Sequence, residues 1–378
     1  MGLAARPGLF LFGTLRDPEL LQHVAGGSVR VVPASLLGHR VARADGQSFP
    51  VLVLADGSRA EGLLLVAPTP EQIARIDFYE APYGYHRVAC TLISDGASIE
   101  AEVYRPSAAQ WPPAEDWSLS DWQTAHGPLM REAAVEIMEE MGRSEPADIA
   151  NRFQVIRTRA QQRLNARASF SPVQLRQEHG VADVEVTAKI TAYSHFFKLD
   201  ELSVRARRFD GEMSEPMERA VFLAADAVTV LPYDPVRDTV MLIEQFRPGC
   251  FLRGDPNPWS LEAIAGRQDP GETLEETARR EAIEEARVTL GRLHRANSYY
   301  SSPGTNTEYL TSYIGIADLP DTAAGFGGLE SEAEDIRSMV VPFARLMEAV
   351  EGGEAENGPL LISAYWLAAH RDRLRAGS

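Results

Sequence analysis

Between Ala265 and Val288 the chain spaces three acidic residues so that they could act together. Glu281, Glu284 and Glu285 stand at i, i+3 and i+4, which on a helix puts their carboxylates on one face within a single turn. Like charges held so close repel, and a cluster of oxygen ligands is the natural partner of a hard divalent cation. The surrounding chain offers a way to hold them. Pro270 and Gly271 break the backbone, and from Leu274 onward the run is rich in good helix formers, which predicts a loop followed by a helix. A surface helix laced with Arg279, Arg280 and Arg287 would account for a lone Glu-Glu pair, but the fuller spacing argues for a site.

That spacing resembles the Nudix box. Gly266, Glu272, Arg280, Glu281, Glu284, Glu285 and Val288 fall on its fixed positions, whereas Arg287 stands where the family has glycine. A side chain there implies either ~1 kcal/mol of left-handed strain or a helix that runs on. Ala282 is a small choice for an apolar slot. With EQFR at 244–247, WSLEAIAG at 259–266, SSPGTNTE at 301–308 and EAEDIR at 332–337, the region from about 181 to 374 is similar to bacterial ADP-ribose pyrophosphatases. The resemblance implies hydrolysis of ADP-ribose or a related ADP-sugar to AMP and ribose 5-phosphate, with Mg²⁺ as cofactor and Mn²⁺ as a substitute. It implies Glu281, Glu285 and the Ala265 carbonyl as metal ligands, Glu284 as a ligand or a support behind them, and Glu272 as the group that orients the helix. Arg247 would contact the pyrophosphate, Arg219 and Glu308 the substrate, and Phe196 or Phe197 the adenine face. Glu332 and Glu334 follow Gly325, Gly327 and Gly328, and one of them, with Glu334 preferred, would complete the metal site or take the proton from the attacking water. The family's swapped dimers imply a homodimer.

The N-terminal part reads differently. An apolar run at 9–12 ends at Gly13, and Asp17 caps a short helix bearing Leu20, Leu21 and Val24. Strands are predicted at 29–37, 51–55, 60–66, 87–93 and 99–104, with turns at Asp56-Gly57 and Asp95-Gly96 and one helix over 69–79. Such a pattern suits a small barrel or curved sheet with helices outside. Glu80, just past that helix, taken alone reads as a solvated cap. FGTL at 12–15 with Asp77 to Glu80 and Tyr85 to Arg87, however, resembles the gamma-glutamylcyclotransferase-like family over roughly 9–106. The resemblance implies that Gly13, Thr14 and Leu15 hold substrate and that Glu80 moves protons. Phe12 departs from it by removing a tyrosine hydroxyl, so this part is either an active cyclotransferase, making the protein bifunctional, or a noncatalytic binding or oligomerisation module.

Composition limits the remaining classes. A net charge of −17 over 378 residues gives no general attraction to nucleic acid or anionic membrane, so an anionic small molecule must be met by metal or by local arginines. Cys90 and Cys250 offer neither a disulfide framework nor a zinc spacing, which fits a reducing cytoplasm. The apolar run in MGLAARPGLFLFGTL is too short for a membrane helix and reads as a buried first strand. Apolar residues every four positions at Leu129, Ala133, Ile137 and Met141, repeated at Ile149, Phe153 and Ile156, predict helices joining two domains, with Glu139, Glu140, Arg157, Arg159 and Arg163 on solvated faces. The expected architecture is α+β: a cyclotransferase-like β-barrel with helices over 1–116, a helical linker over 117–176, and a Nudix α/β/α sandwich over 177–378.

Overall fold

A computed structural model of the chain describes residues 7–107, 110–169, 172–329 and 334–377, in two compact units, 1–171 and 172–378. In the first unit the strands are β1 (Gly8–Leu11), β2 (Val31–Ala44), β3 (Pro50–Leu65), β4 (Tyr85–Ser94), β5 (Ala97–Pro106) and β6 (Pro113–Asp116). Their order β3-β1-β5-β4-β2 closes through a β2–β3 pairing into a barrel, with β6 added beside β2. Leu9, Phe10 and Leu11 of β1 are all buried, as the expected first strand requires. Helix α1 (Pro18–Ala25) starts at Asp17, whose carboxylate accepts from the Leu20 N–H at 2.9 Å. Helix α2 (Pro70–Glu80) starts with a capping box between Thr69 and Gln72. Asp95-Gly96 turns the β4–β5 hairpin as expected. Asp56-Gly57 makes no reversal: the stretches on both sides pair with the same strand β2, whose register slips between Leu37 and His39, so the two predicted strands are one strand with a bulge.

Helices α3 (Leu119–Ala125), α4 (Gly127–Glu139) and α5 (Pro146–Ala168) carry the expected four-residue repeat, but they are not a free linker. Leu129, Ala133, Ile137, Ile149 and Ile156 belong to the same buried cluster as the barrel strands. The charged faces also turn inward. Arg159 and Glu136, each with a side chain 3% exposed, pair at 2.6 Å, Arg163 reaches Glu132 at 2.5 Å, and Glu140 is buried beside Arg152. Periodicity shows which face is apolar; it does not show that a second helix supplies matching cations to the acids beside that face.

The second unit opens with an antiparallel three-stranded sheet of β7 (Val184–Ser194), β8 (Lys198–Ala206) and β9 (Met217–Leu223). A second sheet has the order β14 (Leu293–Tyr300), β15 (Tyr309–Ile316), β10 (Ala227–Asp234), β11 (Thr239–Phe246), β17 (Ile336–Pro342), β16 (Gly325–Gly327). β12 (Trp259–Glu262) pairs with β11 and β13 (Ile264–Arg267) with β10. Side chains alternate across this sheet. Val228, Val230, Met241 and Ile243 pack with Ala278 and Ala282 of helix α7 (Leu274–Ala286), while Leu231, Val240 and Leu242 join the cluster of helices α8 (Phe343–Gly352) and α9 (Gly358–Ala376). The result is the expected layering of helix, sheet and helix. A short helix α6 (Pro248–Arg253) follows β11. Cys90 and Cys250 are free, and no helix among the described residues is long and apolar enough to cross a membrane.

Candidate functional site

Helix α7 begins where the breakers end. The Thr273 hydroxyl accepts from the Glu276 N–H at 3.2 Å while the Glu276 carboxylate accepts from the Thr273 N–H at 2.8 Å. Ala278, Ala282 and Ala286 are buried on its sheet side, so the small residue in the apolar slot lets the helix lie close to β10. The helix stops after Ala286. Arg287 takes the left-handed conformation, φ 55° and ψ 31°, so the strained alternative is the one realised.

β13 lies along the acidic face of α7. A Cβ added to Gly266 would fall 1.8 Å from Glu281 Oε1, so only glycine lets that carboxylate approach the backbone. The Ala265 N–H donates to Glu285 Oε2 at 3.1 Å, which brings both expected ligands and the Ala265 peptide together. Glu285 is 3% exposed. Burial pushes its pKa up to about 8, the Ala265 hydrogen bond opposes this, and the charges of Glu281 and Glu334 add to it. Burial likewise raises Glu281 to about 7, against the pull of Arg280 and with the push of Glu284 and Glu334. Concentrated negative charge of this kind is what a divalent cation offsets, although among the described residues no three acidic, histidine or cysteine side chains converge closely enough to hold an ion as they stand.

Arg280 holds the rest of the box. Its guanidinium donates to Glu272 at 2.9 and 3.1 Å, to Glu281 at 2.7 Å, to Glu284 at 2.9 Å and to the Arg267 carbonyl at 3.1 Å. Glu272 also accepts from the Thr277 hydroxyl at 2.9 Å, so it fastens the loop to the helix. On the other side a Cβ on Gly327 would meet the Glu285 carbonyl at 1.9 Å, and the Gly328 N–H donates to the Glu284 carbonyl at 3.2 Å. Gly327 and Gly328 therefore lie against the end of α7, and the Glu334 carboxylate accepts from the Leu329 N–H at 3.2 Å. Glu332 lies outside the described residues.

Other expected residues fall at varying remove. Arg247 donates to Glu262 at 2.9 and 2.6 Å; burial opposes its charge, but Glu262, with Glu285 and Glu334, raises its pKa overall. Glu262 was not anticipated: it meets Arg247 only because β11 and β12 pair, and no local spacing reveals that pairing. The Phe196 ring lies under the Arg267 guanidinium at 4.2 Å, and Phe197 packs on Phe222 at 4.6 Å. Glu308 sits in the loop that β9 grips through the Phe222 and Thr307 backbone. Arg219 is exposed on β9, donates to the Glu218 carbonyl at 2.7 Å, and makes no described contact with the acidic helix.

The first unit has a site of its own. A cavity of about 530 Å³ is lined by Phe12, Gly13, Thr14, Leu15 and Glu80 together with an aromatic wall that includes Tyr83. Glu80 is therefore no solvated cap. Burial pushes its carboxyl up to about 8, and its charge raises Tyr79, Tyr85 and Tyr104 further beyond what burial does. Phe12, 6% exposed, leaves that part of the wall without a hydroxyl.

Comparisons with known proteins fall on the same two units. Residues 9–123 match the family model described as gamma-glutamyl cyclotransferase, AIG2-like, and residues 223–361 match that of the NUDIX domain. The chain is 40% identical over 206 residues to the ADP-ribose pyrophosphatase of Escherichia coli (strain K12), a match covering 54% of this chain and 98% of that one. It is 32% identical over 201 residues to the ADP-ribose pyrophosphatase of Haemophilus influenzae, covering 53% and 92%. It is 30% identical over 184 residues to the GDP-mannose pyrophosphatase of Enterobacter sp. (strain 638), covering 49% and 94%.

Proposed function

Since the chain belongs, through its C-terminal half, to the Nudix hydrolases, we propose that this half hydrolyses the pyrophosphate of ADP-ribose to AMP and ribose 5-phosphate, or that of a related ADP-sugar to AMP and the corresponding sugar phosphate. The observation that carries this reading is the approach of the Gly266 backbone to Glu281 beside the Ala265–Glu285 hydrogen bond. Glu281, Glu285 and the Ala265 carbonyl would hold Mg²⁺, or Mn²⁺ in its place, with Glu284 in support. A cation held there would supply charge to offset the pyrophosphate and would lower the pKa of a water toward neutrality. Arg247, braced by Glu262, keeps Nη1 for a phosphate oxygen and meets the charge that develops on it. Glu334 takes the proton of the attacking water, and Phe196 offers a flat face to the base. The test is turnover of a panel of ADP-ribose, other ADP-sugars and GDP-mannose by the full chain with and without Mg²⁺. ADP-ribose should lead the panel only when the metal is present.

The working form is a cytoplasmic homodimer. The exposure of Val184, Val186 and Ile190 on β7 favours a second copy covering the three-stranded sheet. Light scattering should give twice the chain mass, and a monomer that is fully active at assay concentration would contradict this.

A second reading concerns the first unit. Glu80 faces a cavity of ligand size with its pKa displaced towards neutrality, which favours acid–base work on a gamma-glutamyl compound over a scaffold role. Release of 5-oxoproline from such a compound tests it.

A further inference from the structure

A second cavity, of about 670 Å³, lies in the second unit where the edge strand β14 meets the last turns of α9. Ile316, Trp366 and Leu374 form its apolar side and belong to the cluster on the α8–α9 face of the sheet. Helix α7 packs on the opposite face, so this cavity is apart from the site built on Glu281 and Glu285. Its charged side comes from two elements. Arg292, immediately before β14, His294 within β14 and Arg373 in the last turn of α9 line it, and none of the described lining residues is acidic. Acidic residues outnumber basic ones 54 to 37 in this chain, so an all-basic lining is a departure from the rest of it. Burial, and then the charges of Arg292 and Arg373, hold the His294 imidazole below its usual pKa, so the two guanidiniums converge on one ring.

Basic residues in a last helical turn ordinarily serve the carbonyl end of their own helix. Here Arg371 and Arg375 turn to Asp238, and Arg375 also donates to the Pro235 carbonyl at 3.2 Å. Arg292 comes from outside the helix. Neither its guanidinium nor that of Arg373 makes a hydrogen bond or ion pair among the described residues. Arg295, at the same edge, is engaged elsewhere and donates to the Ser298 hydroxyl at 3.2 and 2.6 Å. Two cations that face one imidazole without a counter-charge repel, and an anion between them removes that cost. Each guanidinium offers a fork of N–H groups. A phosphate has oxygens enough to accept from both forks, whereas a carboxylate fills only one. Beside them Trp366 is held flat by His370, which stacks on it at 4.0 Å.

We propose that Arg292 and Arg373 form a binding site for a phosphate group, free or carried on a small ester, at the β14–α9 edge of the second unit. The site binds and takes no part in hydrolysis, so it stands whatever nucleotide sugar the acidic face of α7 turns over. Calorimetric titration of the full chain with inorganic phosphate, AMP and acetate, without added metal, tests it. Phosphate or AMP should bind saturably, with acetate at least about tenfold weaker. AMP no tighter than phosphate would show that the group alone is read, and AMP tighter by about tenfold would show that the apolar side takes the nucleoside. Arg292→Gln and Arg373→Gln should each weaken binding by about tenfold while ADP-ribose turnover and the unfolding midpoint stay near those of the wild type. Arg247→Met, on the other face of the sheet, should leave the binding unchanged. No saturable binding of phosphate or AMP, acetate as tight as phosphate, binding that survives both groove variants, or binding lost in Arg247→Met would overturn the assignment. The comparison of phosphate with acetate is made on the wild-type chain, so the proposal stays open to refutation even if a variant misfolds.

Discussion

Arg247 donates two hydrogen bonds to Glu262, at 2.9 and 2.6 Å, from a side chain 41% exposed to a carboxylate only 5% exposed. The geometry is a fork closed on a buried anchor, which fixes the direction of the remaining N–H bonds. Glu262→Gln should therefore lower kcat/KM for ADP-ribose by about 10- to 100-fold, the usual cost of losing a group that orients a binding side chain. Arg247→Lys should do the same, because an ammonium keeps the charge and loses the fork. Unchanged kinetics in both variants would show that Arg247 does not meet the substrate.

Arg287 holds a left-handed conformation at the end of α7 that glycine adopts freely. Arg287→Gly should stabilise the second unit by about 0.5–1 kcal/mol, the relief of left-handed strain less the entropy glycine adds to the unfolded chain. Turnover should stay within about twofold, since the acidic side chains sit on the turns before it. Chemical denaturation followed beside activity checks both, and a destabilised variant would mean that the arginine side chain has a stabilising role.

The acidic face of α7, the loop that precedes it and the layering of the second unit were all legible, because helix spacing and breakers are local properties of the chain. What was not legible depends on distant pairing. Glu262 becomes the brace of Arg247 through a strand pair, and Asp56-Gly57 looks like a reversal until β2 is seen running past both of its sides. Glu80 taken alone reads as a solvated cap, and only the family resemblance singles it out, because nothing near it in sequence reveals the enclosing helices. The helices at 117–176 read as a linker because their amphipathic pattern shows an apolar face without showing what covers it.

Glu80 supplies a pH signature. Its pKa is about 8 in the folded chain, against roughly 4.3 when unfolded. Between these values the unfolded chain has lost the proton that the cavity retains, so its contribution to stability falls as pH rises towards 8. Glu80→Gln should remove that slope, making the first unit relatively more stable at pH 8 than at pH 5 when compared with the wild type in urea. It should leave ADP-ribose turnover unchanged and abolish any release of 5-oxoproline. A parallel fall in ADP-ribose turnover would contradict the independence of the two sites.

The most direct measurement is steady-state hydrolysis of ADP-ribose at saturating Mg²⁺ by the full chain and by Glu285→Gln. That substitution keeps the volume and the fold and removes one charge from the group that Ala265 holds in place. Turnover should fall at least on the order of a hundredfold while the unfolding midpoint does not drop. Retained turnover in the variant would contradict the assignment of a metal-dependent hydrolase site to the acidic face of α7.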